Sequence, residues 1–208
     1  YGSYVMENVL FKISFPAEFH AQTAVEAAVT LHPQIIDRLN EISKIVLSTH
    51  ESAIRIISKT GVLNNPADRD HCLQYMTAIG LLKGNLVAED YEANVASDPR
   101  VDMLRELMSV EEDERYSREY HEEDKRSIAN AIQIHFKDGS TTEKVEVEYP
   151  IGHKFRRAEG MPLLQEKFAE NLSVRFPATQ VNSVLRMCND SESFDNTPVQ
   201  DFMSALVI

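Results

Sequence analysis

Three short segments of the sequence gather side chains able to bind an anion or to move a proton. The first is FKISFPAEFHAQTAVEAA, residues 11–28, in which Lys12, Glu18 and His20 precede a run of small residues. A histidine beside a helix N-terminus, with its free backbone N–H groups, helps to hold an anion, and Lys12 could reach the same anion. We therefore predict an anion-binding corner, against the alternative of a surface lysine beside an ordinary loop histidine.

The second segment is NNPADRDHCLQYMTAIGLLKGN, residues 64–85, which carries the signals of one helix from residue 66 to about residue 83. Asn65 suits its N-cap, Pro66 its first position and Gly84 its end. A buried tyrosine on this helix, Tyr75, would need a partner for its hydroxyl and could donate a proton or a hydrogen bond. The alternative is a core tyrosine bonded to a backbone carbonyl. The helical stripe predicted to contain it is His71, Tyr75, Ala78 and Leu82.

The third segment is the glycine-bounded basic loop GHKFRRAEGMP, residues 152–162. Its potentially cationic side chains are His153, Lys154, Arg156 and Arg157. Such a cluster in an acidic protein suits a carboxylate or phosphate, because a guanidinium pairs with either through two parallel hydrogen bonds. A solvated loop that pairs with the acidic stretch, a lid, or a dimer contact explains the same residues equally well.

The elements that must position these side chains predict an α+β fold. Its sheet is expected to be small and mostly antiparallel or mixed, with helices packed on one side and further helices at the C-terminus. One core with an appended helical part is favoured over two independent domains. The predicted strands are 4–14, 42–50, a strand near 105–110 and a hairpin over 128–150, and the predicted helices are 21–33, 51–59, 66–83, 163–172, 178–188 and 198–206.

The charge of the chain excludes several classes of protein. The formal net charge is -12, which disfavours nucleic acid as a partner because phosphate contacts need clustered basic residues. Half of that charge comes from EEDERYSREYHEED, residues 111–124, which is typical of a solvated helix or loop. The sequence has no apolar run long enough for a membrane span and no leader resembling a signal peptide. It does not begin with Met, and we expect it to be part of a longer protein.

The cysteines and histidines do not predict a metal site. The two cysteines, Cys72 and Cys188, are too few for a self-contained iron–sulfur cluster and fit a reducing compartment. The seven histidines are scattered and form no HExxH motif or close pair, so a zinc site is not expected.

The three segments together resemble the C-terminal domain of the MmgE/PrpD family. The resemblance rests on FKISFPAEFHAQTAVEAA, NPADRDHCLQYM and YPIGHKFRRAEGMPLLQEKF, and it extends over nearly the whole chain. Family enzymes join an N-terminal all-helical domain to a smaller α+β domain, so residues 1–208 would be the second domain, with the helical domain absent from this chain. The resemblance further implies a homodimer, a small tricarboxylate substrate, and no metal or other cofactor.

The first and last of these motifs are characteristic of a branch of the family that acts on methylated citrate. The implied activity is that of a hydro-lyase that converts 2-methylcitrate to 2-methyl-cis-aconitate in the methylcitrate cycle of propionate catabolism. The implied location is the cytoplasm, or the mitochondrial matrix in a eukaryote.

The resemblance also assigns roles to individual residues. Relatives place in the active site a lysine and a histidine that precede the small-residue helix, and a tyrosine from a Gln-Tyr pair; these correspond to Lys12, His20 and Tyr75, which are therefore predicted to be catalytic. The spacing after Lys12 differs from that of relatives such as a decarboxylase of cis-aconitate, so Glu18 and His20 compete for the histidine's place. The predicted substrate-binding residues are Glu18, Arg69, His153, Arg156 and Arg157.

Two other functions remain open at this stage. The chain could belong to a decarboxylase or epimerase of a related polycarboxylate, or it could be a non-catalytic interaction domain that docks through the acidic stretch or the basic loop. By itself the chain is expected to be inactive, because the resemblance implies that other active-site groups belong to the N-terminal half.

Overall fold

A computed structural model describes residues 4–207 of the chain. Its helices are α1 (Tyr4–Asn8), α2 (Gln22–Ile35), α3 (Glu51–Ile57), α4 (Pro66–Arg69), α5 (Leu73–Lys83), α6 (Ala93–Ala96), α7 (Pro99–Glu106), α8 (Glu114–His121), α9 (Arg157–Arg175), α10 (Ala178–Asn189), α11 (Ser191–Asp195) and α12 (Val199–Ala205). Its strands are β1 (Ile42–Thr49), β2 (Met108–Glu112), β3 (Asn130–Phe136) and β4 (Val145–Val147). Short 3-10 helices occupy Phe19–Ala21, Ile36–Glu41, Ala88–Tyr91 and Lys154–Arg156.

The four strands form one mixed sheet in the order β2-β1-β3-β4. Strand β1 is parallel to β2 and antiparallel to β3, and β3 is antiparallel to β4. Ile45 and Leu47 of β1 are fully buried, whereas Lys44 on the opposite face is exposed and pairs with Glu111 of β2. The predicted α+β class with a small mixed sheet is therefore confirmed.

Helices α2 and α5 form the centre of the helical layer. Helix α2 packs on β3 and β4 and along α5, which in turn packs on α7, so residues 73–82 of α5 are buried on every side. A Cβ atom at Gly80 would lie 2.9 Å from the Cβ of Ala28 and 3.3 Å from the carbonyl oxygen of Val25. Glycine at this position therefore permits the close approach of the two helices.

Several sequence predictions are confirmed. Strand β1, the hairpin of β3 and β4 with its turn at Gly139, and the parallel strand β2 lie where the patterns placed them, although β4 itself is only three residues long. Asn65 caps α4, and Gly84 ends α5 in the left-handed region at a φ of 68°. Helix α2 continues through Pro33 to Ile35 rather than ending at the proline.

The predicted strand over residues 4–14 is wrong. Residues 4–8 form the short helix α1, whose Tyr4, Val5 and Met6 are exposed, and the segment that follows is extended without joining the sheet. The Phe11 amide donates to the carbonyl of Gly152, a loop residue, instead of to a neighbouring strand. Apolar and aromatic residues gave this segment a strand-like composition, but a strand also needs a free sheet edge to pair with.

The predicted single helix over residues 66–83 is also wrong. It is divided into α4 and α5 by residues 70–72, where Cys72 takes an extended conformation. His71 lies in this break with about half of its side chain exposed, and its Nδ1 contacts Asp70 at 2.6 Å. It therefore does not share the buried helical face of Tyr75.

The chain divides into two compact units, one that extends to Arg157 and one that starts at Ala158. The second unit is helical, and Leu172, Val181 and Val184 form its buried cluster. Within residues 4–207, no helix combines the length and the apolar character that crossing a membrane requires.

Candidate active site

The extended segment that carries Lys12 is fixed by contacts from distant parts of the first unit. Gln22 at the start of α2 donates its amide to the carbonyl oxygens of Phe15 and Ala17, both at 2.8 Å. The Tyr91 hydroxyl donates to the carbonyl of Pro16 at 2.8 Å. These side-chain donors satisfy carbonyl groups that a sheet would otherwise have satisfied, so the segment is ordered without being a strand.

The residues before Lys12 are held by the basic loop. Arg157 donates to the carbonyl oxygens of Val9 at 2.5 Å and Gly152 at 3.2 Å, and its guanidinium lies 4.2 Å from the Phe11 ring centroid. Gly152 has a φ of 105°, and a Cβ there would collide with the Phe11 carbonyl. Only glycine therefore allows the loop and this segment to pass so closely.

Glu18 and His20 form a hydrogen-bonded pair at the end of this segment. Nδ1 of His20 lies 2.8 Å and 3.0 Å from the two carboxylate oxygens of Glu18, which also accepts the His20 backbone N–H at 2.8 Å. Burial acts to raise the pKa of Glu18, but the hydrogen bonds and charge of His20 together bring that pKa below its ordinary value. Glu18 is thus an ionised partner that orients the imidazole rather than a substitute for it.

Two further rings surround His20, and both come from elements distant in sequence. Nε2 of His20 lies 3.2 Å from the hydroxyl of Tyr120 on α8. The ring of His50, which follows β1, lies 5.1 Å from the His20 ring and stacks on Tyr120 with centroids 4.6 Å apart. The corner therefore contains two titratable side chains, Tyr120 and His50, that the sequence motifs did not indicate.

His50 is fully buried and is held in one tautomer. Its Nδ1 accepts the Ala53 N–H at 3.4 Å and so caps α3, while its Nε2 has no hydrogen-bond partner among residues 4–207. Burial, reinforced by the positive charge of neighbouring His20, lowers the pKa of His50 to about 4. His50 is accordingly neutral at physiological pH.

Lys12 lies at the exposed side of the same corner. Its Nζ is 4.8 Å from the ring centroid of Phe19, the residue that directly precedes His20. A cation over an aromatic face is held loosely enough to keep its charge available at the surface. Lys12, Glu18 and His20 are therefore brought together, as the spacing predicted.

Tyr75 is buried and its hydroxyl is already occupied. It donates to the carbonyl of Asp90 at 2.6 Å, and burial raises the pKa of Tyr75 to about 12. These are the contacts of a core tyrosine bonded to a carbonyl, the structural alternative considered for this residue. Its ring lies 6.1 Å from that of Tyr91, whose hydroxyl reaches Pro16, so Tyr75 connects to the corner through one intervening residue.

A cavity of about 620 Å³ lies beside Tyr75. Arg69 and Arg105 contribute to its wall, and both guanidinium groups bond to protein oxygens. Arg69 is buried and donates to the carbonyl of Tyr91 at 2.6 Å, while Arg105 pairs with Asp102 at 2.5 Å. The predicted substrate-binding residue Arg69 therefore shares this cavity with Tyr75, whereas Glu18 and His20 are not among the residues that line it.

The basic loop is engaged by the protein itself. Arg156 donates to Glu26 of α2 at 2.9 Å and to the carbonyl of Tyr149 at 2.7 Å. His153 is buried, stacks on Tyr149 with centroids 4.5 Å apart, and has its pKa lowered to about 4 by burial and by the neighbouring cations. The contacts described for Arg156, Arg157 and His153 are those of a brace that holds α2 and the Lys12 segment. Their role in substrate binding stays a prediction.

A sequence signal for Tyr120 existed but was masked by charge. Tyr116, Glu119 and Tyr120 lie on one face of α8, and Tyr116 and Glu119 are buried, although most of the acidic stretch around them is exposed. The prediction of a solvated helix is therefore correct for the charges and wrong for this face. Among residues 4–207, no cluster of three or more His, Cys, Asp or Glu side chains is arranged to hold a metal ion.

The fold and the motifs of this corner correspond to a known class of protein. Residues 15–191 match the MmgE/PrpD C-terminal domain, and the chain belongs to the MmgE/PrpD family.

Similar proteins carry one activity in their names. The chain is 54% identical over 211 residues to 2-methylcitrate dehydratase of Escherichia coli (strain K12), an alignment that covers 100% of this chain and 44% of that protein. It is 53% identical to mitochondrial 2-methylcitrate dehydratase of Yarrowia lipolytica, covering 100% of this chain and 40% of the relative. It is 49% identical to the probable 2-methylcitrate dehydratase of Saccharomyces cerevisiae, covering 98% and 40% respectively. The chain thus spans less than half the length of these relatives.

Proposed function

We propose that this chain is the C-terminal α+β domain of an enzyme that dehydrates 2-methylcitrate to 2-methyl-cis-aconitate. The observation that carries the proposal is the corner in which Lys12, Glu18 and His20 meet, within a chain about half identical along its length to relatives named for this reaction. The relatives' names support the substrate, and the corner supplies groups suited to it.

The reaction explains why these residue types are needed together. Removing a proton next to a carboxylate requires a base, and nearby cations stabilise the charge that develops; expelling the hydroxyl requires an acid. Lys12 would hold a substrate carboxylate at the exposed side of the corner. His20, oriented by Glu18, would exchange a proton, and Tyr75 would donate a hydrogen bond after releasing the Asp90 carbonyl.

The proposal includes partners that complete the site. An N-terminal helical domain of the same polypeptide would cover the corner and supply the remaining acid and base groups, and the enzyme would be a homodimer. It would act without metal or other cofactor in propionate catabolism, in the cytoplasm or, in a eukaryote, in the mitochondrial matrix.

The test is an assay of the complete polypeptide, with and without EDTA, on 2-methylcitrate and on cis-aconitate. We expect an absorbing alkene to form from 2-methylcitrate without added metal, and no CO₂ to be released from cis-aconitate. Lys12→Ala and Tyr75→Phe should each lower kcat/KM by about 100-fold or more, as for the loss of an acid–base or charge-stabilising group. Arg55→Gln, on an exposed face of α3, is the control.

Specific results would contradict this function. Decarboxylation of cis-aconitate in place of dehydration would reassign the reaction within the family. Full activity of both variants would remove Lys12 and Tyr75 from the site. Residues 1–208 alone should show negligible turnover, and measurable turnover by this chain would contradict a site completed by a second domain.

A further inference from the structure

Both ring nitrogens of His20 are already occupied. Nδ1 is bonded to the carboxylate of Glu18 and Nε2 lies 3.2 Å from the hydroxyl oxygen of Tyr120. The side chains of His20 and Glu18 are only 13% and 16% exposed. In this arrangement the imidazole can exchange a proton with a substrate only through a neighbouring group, or after one of these bonds has broken.

The hydrogen bonds determine which nitrogen exchanges the proton. Glu18 is ionised, and an ionised carboxylate accepts hydrogen bonds but donates none, so Nδ1 of His20 must carry a hydrogen. The other nitrogen, Nε2, is then the one that gains or loses a proton. It is also the one that faces Tyr120.

Tyr120 is held in place and has chemistry suited to this position. Its ring stacks on that of His50 at an interplanar angle of 11°, and the buried, neutral His50 does not compete for the proton. A phenol hydroxyl can both donate and accept a hydrogen bond. It can therefore donate to Nε2 when the imidazole is neutral and accept from Nε2–H when the imidazole is protonated, with no movement of heavy atoms.

We propose that Tyr120 is a further catalytic residue, whose hydroxyl passes to the substrate the proton that the Glu18–His20 pair holds. The inference rests on the proposed function and adds to it a residue outside the motifs that indicated the family.

The proton transfer is balanced in the direction of dehydration. The C–O bond of the substrate breaks with its electron pair on the leaving oxygen, which takes the phenolic proton of Tyr120 and departs as water. The phenolic oxygen takes the proton of His20 Nε2, so Tyr120 is unchanged and His20 becomes neutral. The electron pair of the broken C–H bond forms the C=C bond, and its proton goes to a base of the N-terminal domain.

The first experiment is steady-state kinetics of the complete polypeptide with Tyr120→Phe. This variant retains the ring that stacks on His50 and removes only the hydroxyl. We expect kcat to fall by about 100-fold or more, the usual effect of losing a general acid or base, with KM changed less than about threefold. The matched control is Tyr116→Phe, which removes a buried hydroxyl from the same helix, one that donates to Glu146 at 2.6 Å. Tyr116→Phe should leave kcat within about twofold.

The second experiment measures the resting protein without substrate. In ¹⁵N-histidine-labelled wild-type polypeptide, with His20 assigned by a His20→Gln variant, neutral His20 should carry its hydrogen on Nδ1. Nε2 should show the shift of a hydrogen-bonded acceptor that becomes unbonded in Tyr120→Phe. The opposite tautomer in the wild type would overturn the inference, even if Tyr120→Phe failed to fold.

The outcomes separate this inference from the proposed function. Active wild type with Tyr120→Phe at more than half of its kcat overturns the role of Tyr120 alone. A wild type that does not dehydrate 2-methylcitrate overturns the proposed function, and the proton transfer falls with it.

Discussion

His50 is enclosed by the fold and still carries a titratable imidazole, which makes acid stability a direct measure of its environment. The residue has no exposed surface, and burial lowers its pKa to about 4 from a reference value of 6.5. Above pH 6.5 the imidazole is neutral in both the folded and the unfolded chain. Below that pH the unfolded chain binds a proton that the folded chain does not accept until about pH 4, so stability falls across this window.

The size of the effect follows from the two pKa values. Linkage between them gives a loss of about 2 kcal/mol in the free energy of unfolding between pH 7.5 and pH 5 from His50 alone. His50→Asn removes the titration but keeps a good N-cap residue for the Ala53 amide. The variant loses the ring stack on Tyr120 at both pH values, so that effect cancels in the comparison.

The assay is urea unfolding of wild type and His50→Asn at pH 7.5 and pH 5. We expect the wild type to lose about 2 kcal/mol more than the variant between the two values, because His153 and the carboxylates titrate in both proteins. His135→Asn, at a half-exposed position of β3, should not reproduce the difference. Equal pH-dependent losses in wild type and His50→Asn would refute a buried, neutral His50.

Two further predictions concern the packing that positions the site. Gly80→Ala should lower the free energy of unfolding by about 1–3 kcal/mol, despite the better helix propensity of alanine, because the new Cβ would lie 2.9 Å from that of Ala28; a urea midpoint at or above that of the wild type would contradict the close packing of α2 and α5. Arg157→Gln should speed amide hydrogen exchange at Phe11, because it removes the bonds to the Val9 and Gly152 carbonyls. Arg55→Gln, whose side chain is 74% exposed, is the control for this measurement, and unchanged exchange at Phe11 would show that Arg157 does not hold the segment.

Local patterns were sufficient for the elements that depend on local physics. The small residues of α2, the alternation in β1 and β3, and the turn at Gly139 each predict a structure from neighbours a few positions apart. The corner of Lys12, Glu18 and His20 was likewise visible, because its residues lie within nine positions of one another.

The rest of the site depends on contacts between residues far apart in sequence. Tyr120 reaches His20 across 100 positions, and no local pattern reports that distance. The acidic residues around Tyr120 favoured a solvated helix, although one of its faces is packed. The strand predicted before Lys12 failed for the same reason, because the segment is held by side chains and a loop carbonyl rather than by a sheet edge.

The contact between Arg157 and Val9 also bears on the order in which the protein is made. The two residues are 148 positions apart, and Gly152 bonds to Phe11 over a similar separation. During synthesis the segment before Lys12 leaves the ribosome early, at about 5–20 residues per second, and must wait for its brace. Closing so long a loop is among the slow steps of folding. Lys12 therefore acquires its place in the corner late, after the sheet and α2 have had time to form around it.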